Sequence, residues 1–139
     1  METLWQQAYP SECVIVRPTG IYGTSVTRMI KLAETTKSYP KLHWSNRIHI
    51  DDLVAFLAHL LHVEHTEKSY ICSNSQPLPL HEIIQWFQQQ LGLPTLVLES
   101  DVPSGKQIYA TRMQQMNFEL QHPHCFDDYL ALLEECESK

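Results

Sequence analysis

Val14, Ile15 and Val16 follow one another with no polar residue between them. A strand with one face in water alternates apolar and polar residues, because successive side chains point to opposite faces. An unbroken β-branched run predicts instead a strand covered on both faces, the habit of parallel sheets. Cys13 to Val16 therefore reads as a buried strand. Arg17 to Gly23, punctuated by Pro18, Gly20 and Gly23, reads as the loop that leaves it. In open α/β sheets ligands bind beyond the carboxyl ends of strands, which is where this loop falls.

Downstream, helical and extended patterns alternate. Thr24 or Ser25 can cap a helix carrying Val26, Met29, Ile30 and Ala33 on one side. Tyr39 and Pro40 break it, and short extended pieces reach to Ser45 and cover Arg47 to Ile50. Asp51 reads as the next N-cap, followed by an apolar face of Leu53, Phe56, Leu57, Leu60 and Leu61. Lys68 to Cys72 reads as a strand. Pro79 fits a first helical position ahead of the strongest stripe in the chain, Leu80, Ile83, Ile84, Phe87 and Leu91, which Gly92 and Pro94 stop. A short strand at Leu96 to Leu98, a weaker helix around Thr111 to Met116 and an extended piece at Phe118 to Leu120 follow. A closing helix carries Phe126, Tyr129, Leu130 and Leu133, and Met1 to Ala8 reads as the end of a helix. The alternation predicts an α/β fold, and 139 residues predict a single domain, 1–139, with a real core.

Composition narrows the function classes. A hydrophobic share of 43% with 19% charged residues fits a globular chain and not a disordered one. The net charge is -6 and the ten Lys and Arg are scattered, which argues against a nucleic-acid partner. No apolar run approaches the ~20 residues of a membrane span. Met1 to Pro10 has no signal-peptide pattern, so a cytoplasmic location is expected. Cys13, Cys72, Cys125 and Cys136 form no CxxC pair and read as reduced, buried thiols.

Two segments carry a resemblance. Val14-Ile15-Val16-Arg17-Pro18-Thr19-Gly20-Ile21-Tyr22-Gly23 resembles the R-P-x-G-I-Y-G stretch of extended and atypical short-chain dehydrogenase/reductases, and Asn46-Arg47-Ile48-His49-Ile50-Asp51-Asp52-Leu53 resembles their N-R-I-H-V-D-D-L. Tyr70 to Ser75 followed by Pro77, and Gly105-Lys106-Gln107 through Phe118, match later elements in order, with Asn117 where a glycine is usual. The chain is thus similar, over nearly its whole length, to the C-terminal half of an NAD(P)-dependent epimerase/dehydratase. The resemblance implies the C-terminal part of a Rossmann-like fold, an incomplete parallel sheet with flanking helices. It implies NAD or NADP as cofactor of the intact enzyme and a small polar or sugar-like substrate. Pro18 and Thr19 are then candidates for cofactor contact, and Gly20, Tyr22 and Arg47 for substrate contact. Guanidinium suits an anionic substrate group. The competing readings are a Tyr22 packed on the core and an Arg47 paired with Asp51 or Asp52. His49 reads as a histidine bonded to nearby backbone more readily than as a general base. Gly20 stands where sugar-nucleotide epimerases carry Asn, Ser45-Asn46 where they carry Arg-Asp, and Thr24 where proline is usual, so a nucleotide-sugar substrate is in doubt.

The motifs that hold and work the cofactor are not found. The four glycines form no Gly-x-x-Gly-x-x-Gly, and none of the six tyrosines has Lys four residues on. The sequence therefore assigns no catalytic residue, and this chain alone is expected to bind no dinucleotide. A separate N-terminal, cofactor-binding half or self-association is the expected partnership. The rival reading is a non-catalytic binding or regulatory module, or a remnant. Metal binding is not expected: His59, His62 and His65 drift around a helix at their spacing of three, and His122-Pro123-His124-Cys125 lacks the spacing of a structural zinc site.

Overall fold

The computed structural model describes residues 13–137, so the helix expected at Met1 to Ala8 lies outside the described residues. In chain order the elements are β1 (Ile15–Pro18), β2 (Gly20–Tyr22), α1 (Thr27–Thr35), β3 (Ser38–Tyr39), β4 (Leu42–Ser45), β5 (Arg47–His49), α2 (Ile50–Leu60), β6 (Ser69–Cys72), β7 (Leu78–Pro79), α3 (Leu80–Gln90), β8 (Val97–Leu98), β9 (Pro103–Ser104), α4 (Thr111–Gln115) and α5 (Cys125–Glu137). The predicted α/β class is what the chain adopts. β1 pairs in parallel with β6, Ile15 opposite Ser69 and Pro18 opposite Cys72. β2 pairs in parallel with β5, Gly20 opposite Arg47 and Tyr22 opposite His49. Shorter pairs join β3 to β8 and β4 to both β7 and β9. β1 carries β6 on one side, and among the described residues no strand lies along its other edge.

Two apolar clusters hold these layers. One is built where α1, α3 and α5 meet, from Val26, Ala33, Ile83, Phe87, Tyr129 and Leu133. The other sits between α2 and the β1–β6 pair, from Ile48, Leu53, Phe56, Tyr70, Cys72 and Met113, with Val14 and Val16 half-buried against it. Phe56 and Phe87 are fully covered, and each such side chain contributes about 1.5–3 kcal/mol of transfer free energy. Buried Gln88 has all its amide capacity used across the first cluster. Its Nε2 donates to Ala33 O (3.1 Å) and Thr36 O (2.8 Å), and its Oε1 accepts from Leu96 N–H (2.7 Å).

Several sequence expectations change in detail. Gly20–Tyr22, expected inside a loop, is strand β2. The N-cap of α2 is His49 and not Asp51: its Nδ1 accepts from Asp51 N–H at 3.1 Å, while Asp51 and Asp52 occupy the first turn. Val26 starts α1 without a side-chain cap, and Ser25 Oγ accepts from Thr27 N–H nearby. Pro79 ends β7 and is the N-cap position of α3, one residue before the helix begins. Phe118 to Leu120 forms no strand; Asn117 turns the chain with φ 58° after α4. Leu57 and Leu61 do not join the core face of α2. With Val54 they form an exposed apolar stripe. No described helix is long and apolar enough to cross a membrane.

Candidate functional site

The β2–β5 register sets Gly20 beside Arg47 and Tyr22 beside His49, so the two resemblance segments meet side by side. They form one wall of a cleft of about 290 Å³, lined by Gly20, Tyr22, Arg28, Ser45, Arg47 and Tyr129 among others. Among the described residues no aspartate or glutamate lines it, although the chain has 16 acidic residues against 10 basic ones.

Arg47 is 5% exposed. Its Nη2 donates to Ser45 Oγ, and its Nη1 is buried without a hydrogen-bond partner. It pairs with neither Asp51 nor Asp52. The Asp52 carboxylate instead accepts from the backbone N–H groups of Gln121 (2.8 Å) and His122 (2.9 Å). The guanidinium lies against Cys125 and Tyr129, where its charge favours their ionised forms. Burial outweighs it, raising the Cys125 thiol and pushing Tyr129 up to about 12.

Tyr22 is packed on the core, as one of its sequence readings had it, its ring 5.1 Å from that of His49 and 5.2 Å from that of Tyr129. It also lines the cleft. Its hydroxyl donates to Asp128 Oδ2 at 2.7 Å. Burial and that carboxylate raise its pKa far above the ordinary phenol, so it is not an acid or base near neutrality. Pro18 and Thr19 lie apart from the cleft lining, at the carboxyl end of β1. Thr19 N–H and Oγ1 both donate to Cys72 O at 3.0 Å.

Behind Tyr22 lies a polar cluster. The ring of His122 stacks on that of His49 at 3.7 Å and 9°, and His122 Nδ1 is 2.6 Å from Asp128 Oδ1. The hydrogen bond to Asp128 raises the His122 pKa, against a smaller opposing effect of burial. His49, His122 and Asp128 bring potential ligand atoms within 4.8 Å of one another. These atoms are engaged in hydrogen bonds: His49 Nδ1 accepts from Asp51 N–H, and His122 Nδ1 faces Asp128 Oδ1. His124 is engaged elsewhere, with its Nδ1 3.0 Å from Gln76 Oε1.

Arg28, Tyr129 and Asp128 belong to this region and escaped the sequence reading. Arg28 projects from α1 as a second cleft guanidinium, which only the packing of that helix reveals. Asp128 lies 106 residues from Tyr22, and no local pattern links them.

The fold is the Rossmann-like α/β fold of NAD-dependent epimerase/dehydratases, consistent with their C-terminal half. The chain is similar to a Methylobacillus flagellatus protein assigned as an NAD-dependent epimerase/dehydratase, with TM-score 0.73, 29% identity, and coverage of 96% of this chain and 52% of that one. Its fold is shared with the NAD-dependent NDP-hexosamine 5,6-dehydratase TunA of tunicamycin biosynthesis (TM-score 0.70, 17% identity, 99% and 51% covered). It is also shared with a dTDP-glucose 4,6-dehydratase from Bacillus anthracis seen in complex with NAD (TM-score 0.66, 16% identity, 97% and 48% covered). The chain spans about half the length of these solved relatives. No protein-family model matches the sequence, and neither does any curated protein sequence.

Proposed function

We propose that this chain is the substrate-binding portion of an NAD(P)-dependent epimerase/dehydratase-like oxidoreductase acting on a small polar or sugar-like substrate. Gly20, Tyr22 and Arg47 contact the substrate in this reading, and Pro18 and Thr19 stand on the cofactor side. The observation that carries it is Arg47. A buried guanidinium is costly unless an anion or a full set of acceptors compensates it. Arg47 has neutral partners in Ser45, Tyr129 and Cys125, an unpartnered Nη1, and no carboxylate beside it in the cleft among the described residues. An anionic substrate group supplies the missing partner.

The residues described do not fit a dinucleotide pyrophosphate, which is bound where a glycine-rich turn opens a helix. The first turns of α2, α3 and α5 carry Asp51 and Asp52, Glu82, and Asp127 and Asp128, the wrong charge for phosphate; those of α1 and α4 carry no acid, but no described helix opens on a Gly-x-x-Gly-x-x-Gly turn. The cofactor is therefore proposed to be held by a separate N-terminal half, with this chain not competent alone.

The test of the substrate side is titration of the chain with inorganic phosphate, followed by side-chain NMR of its arginines. Arg47 Nε is expected to shift on binding, with the response lost in Arg47→Met. That variant is expected to keep or gain stability, since it removes an uncompensated buried charge. Equal phosphate affinity in both proteins would remove Arg47 from the site.

A further inference from the structure

We infer that Asp128 is a positioning residue for the cleft: from α5 it fixes where the Tyr22 ring stands. The inference rests on the reading above that Tyr22 contacts substrate.

Little in the local chain orients that phenol. Tyr22 is the last residue of a three-residue strand with one partner strand. Gly23 follows with φ +117°, and Thr24 and Ser25 are exposed. The orienting contact comes from the far end of the sequence. One Asp128 oxygen accepts the Tyr22 hydroxyl at 2.7 Å, and the other faces His122 Nδ1 at 2.6 Å. Both ends of this bridge are held. α5 is seated in the core by Cys125, Tyr129 and Leu133. His122 is stacked on His49, and its backbone N–H is bound by Asp52. The ionisable groups around the bridge are thus Asp51 and Asp52 from α2, His49 from the end of β5, Tyr22 from β2, and Cys125 and Tyr129 from α5.

An ionised carboxylate can accept from both donors, whereas an amide of the same shape has one acceptor oxygen and must turn its NH2 toward one of them. Asp128→Asn therefore removes the charge at unchanged shape, and Asp128→Ala removes the acceptor itself. α5 also supplies Tyr129 to the cleft wall, so the bridge couples the closing helix to the substrate-facing ring. Asp128 acts through Tyr22 and is not assigned a contact with substrate.

The test is NMR of the full chain without ligand, reading the His122 titration and the cross-peaks of the Tyr22 ring to the His49 and Tyr129 rings. In Asp128→Asn the His122 midpoint is expected to fall, because the carboxylate that raises it is gone. In Asp128→Ala, which removes the acceptor, the Tyr22 cross-peaks are expected to weaken while far-UV circular dichroism stays native. Tyr22→Phe, which removes only the hydroxyl, is expected to weaken the same ring contacts, and it serves should Asp128→Ala fail to fold. Ring contacts of undiminished intensity in folded Asp128→Ala or folded Tyr22→Phe would show that packing alone places Tyr22 and would overturn the inference. Because no ligand enters this measurement, its outcome is independent of whether Arg47 binds an anion.

Discussion

Gly23→Ala is the substitution whose cost can be worked most fully from the structure. A Cβ at Gly23 would stand 2.5 Å from His49 Nε2 and 2.8 Å from two ring carbons, and the backbone φ is +117°. That φ lies outside the regions open to L side chains, a strain of about 1–3 kcal/mol. The His49 ring cannot yield freely, since it is buried, caps α2 through Nδ1 and is stacked on His122. Overpacking of this kind costs about 1–3 kcal/mol, and losing the cap adds about 1 kcal/mol. The expected loss is roughly 3–7 kcal/mol, a large share of the 5–15 kcal/mol of an ordinary domain. Gly92→Ala is the internal control: its φ is +71° but nothing lies within 4 Å of the added Cβ, so only backbone strain of about 1 kcal/mol is expected. Urea unfolding followed by circular dichroism measures both, as a fall in midpoint at unchanged slope. Equal losses in the two variants would refute the claim that Gly23 is fixed by the approach of the His49 ring.

The His122–Asp128 bond should give stability a pH dependence of defined sign. The folded pKa of His122 is raised above its unfolded value of about 6.5. This contribution is therefore fully present below that value and is lost as pH rises through the folded pKa. Denaturant melts across that window should show the slope in the wild type and a flatter profile in Asp128→Asn; identical profiles would contradict it. The open edge of β1 and the exposed Val54, Leu57 and Leu61 are proposed to be covered in solution, by an N-terminal half or by a second copy. Light scattering over a dilution series should then show concentration-dependent association of the chain alone. A clean monomer at high concentration would argue for a self-sufficient domain.

The parts of this fold that were legible in sequence are those set by short-range pattern. Cys13 to Val16 and Lys68 to Cys72 announced β1 and β6, although β1 runs Ile15–Pro18 and buries only Ile15 rather than both faces, and Ile83, Ile84 and Phe87 announced α3 through helical spacing. Boundaries were misread where two chemistries compete for one role. Asp51 is the better cap by residue type, yet His49 caps α2 because its imidazole is held in place by Tyr22 and His122. Leu57 fits the helical stripe, but α2 meets neighbours through Leu53 and Phe56 and leaves Leu57 in water. Within the candidate site, Gly20, Tyr22 and Arg47 could be singled out because two motifs carry them. That Gly20 and Arg47 lie side by side follows from strand register, which no local pattern prints. The Tyr22–Asp128–His122 bridge depends on how α5 docks, and docking is decided by the whole core.

The central claim is that this chain supplies the substrate side of a dinucleotide-dependent enzyme and relies on another half for the cofactor. Calorimetric titration with NAD and with NADP tests it most directly. The chain would be measured alone and then mixed with the portion of the Methylobacillus flagellatus relative that lies outside the matched region. The account predicts no measurable heat for the chain alone, and binding by the mixture that is tighter than that of the supplied half by itself. Micromolar dinucleotide binding by the chain alone, or a mixture no better than the supplied half, would contradict it.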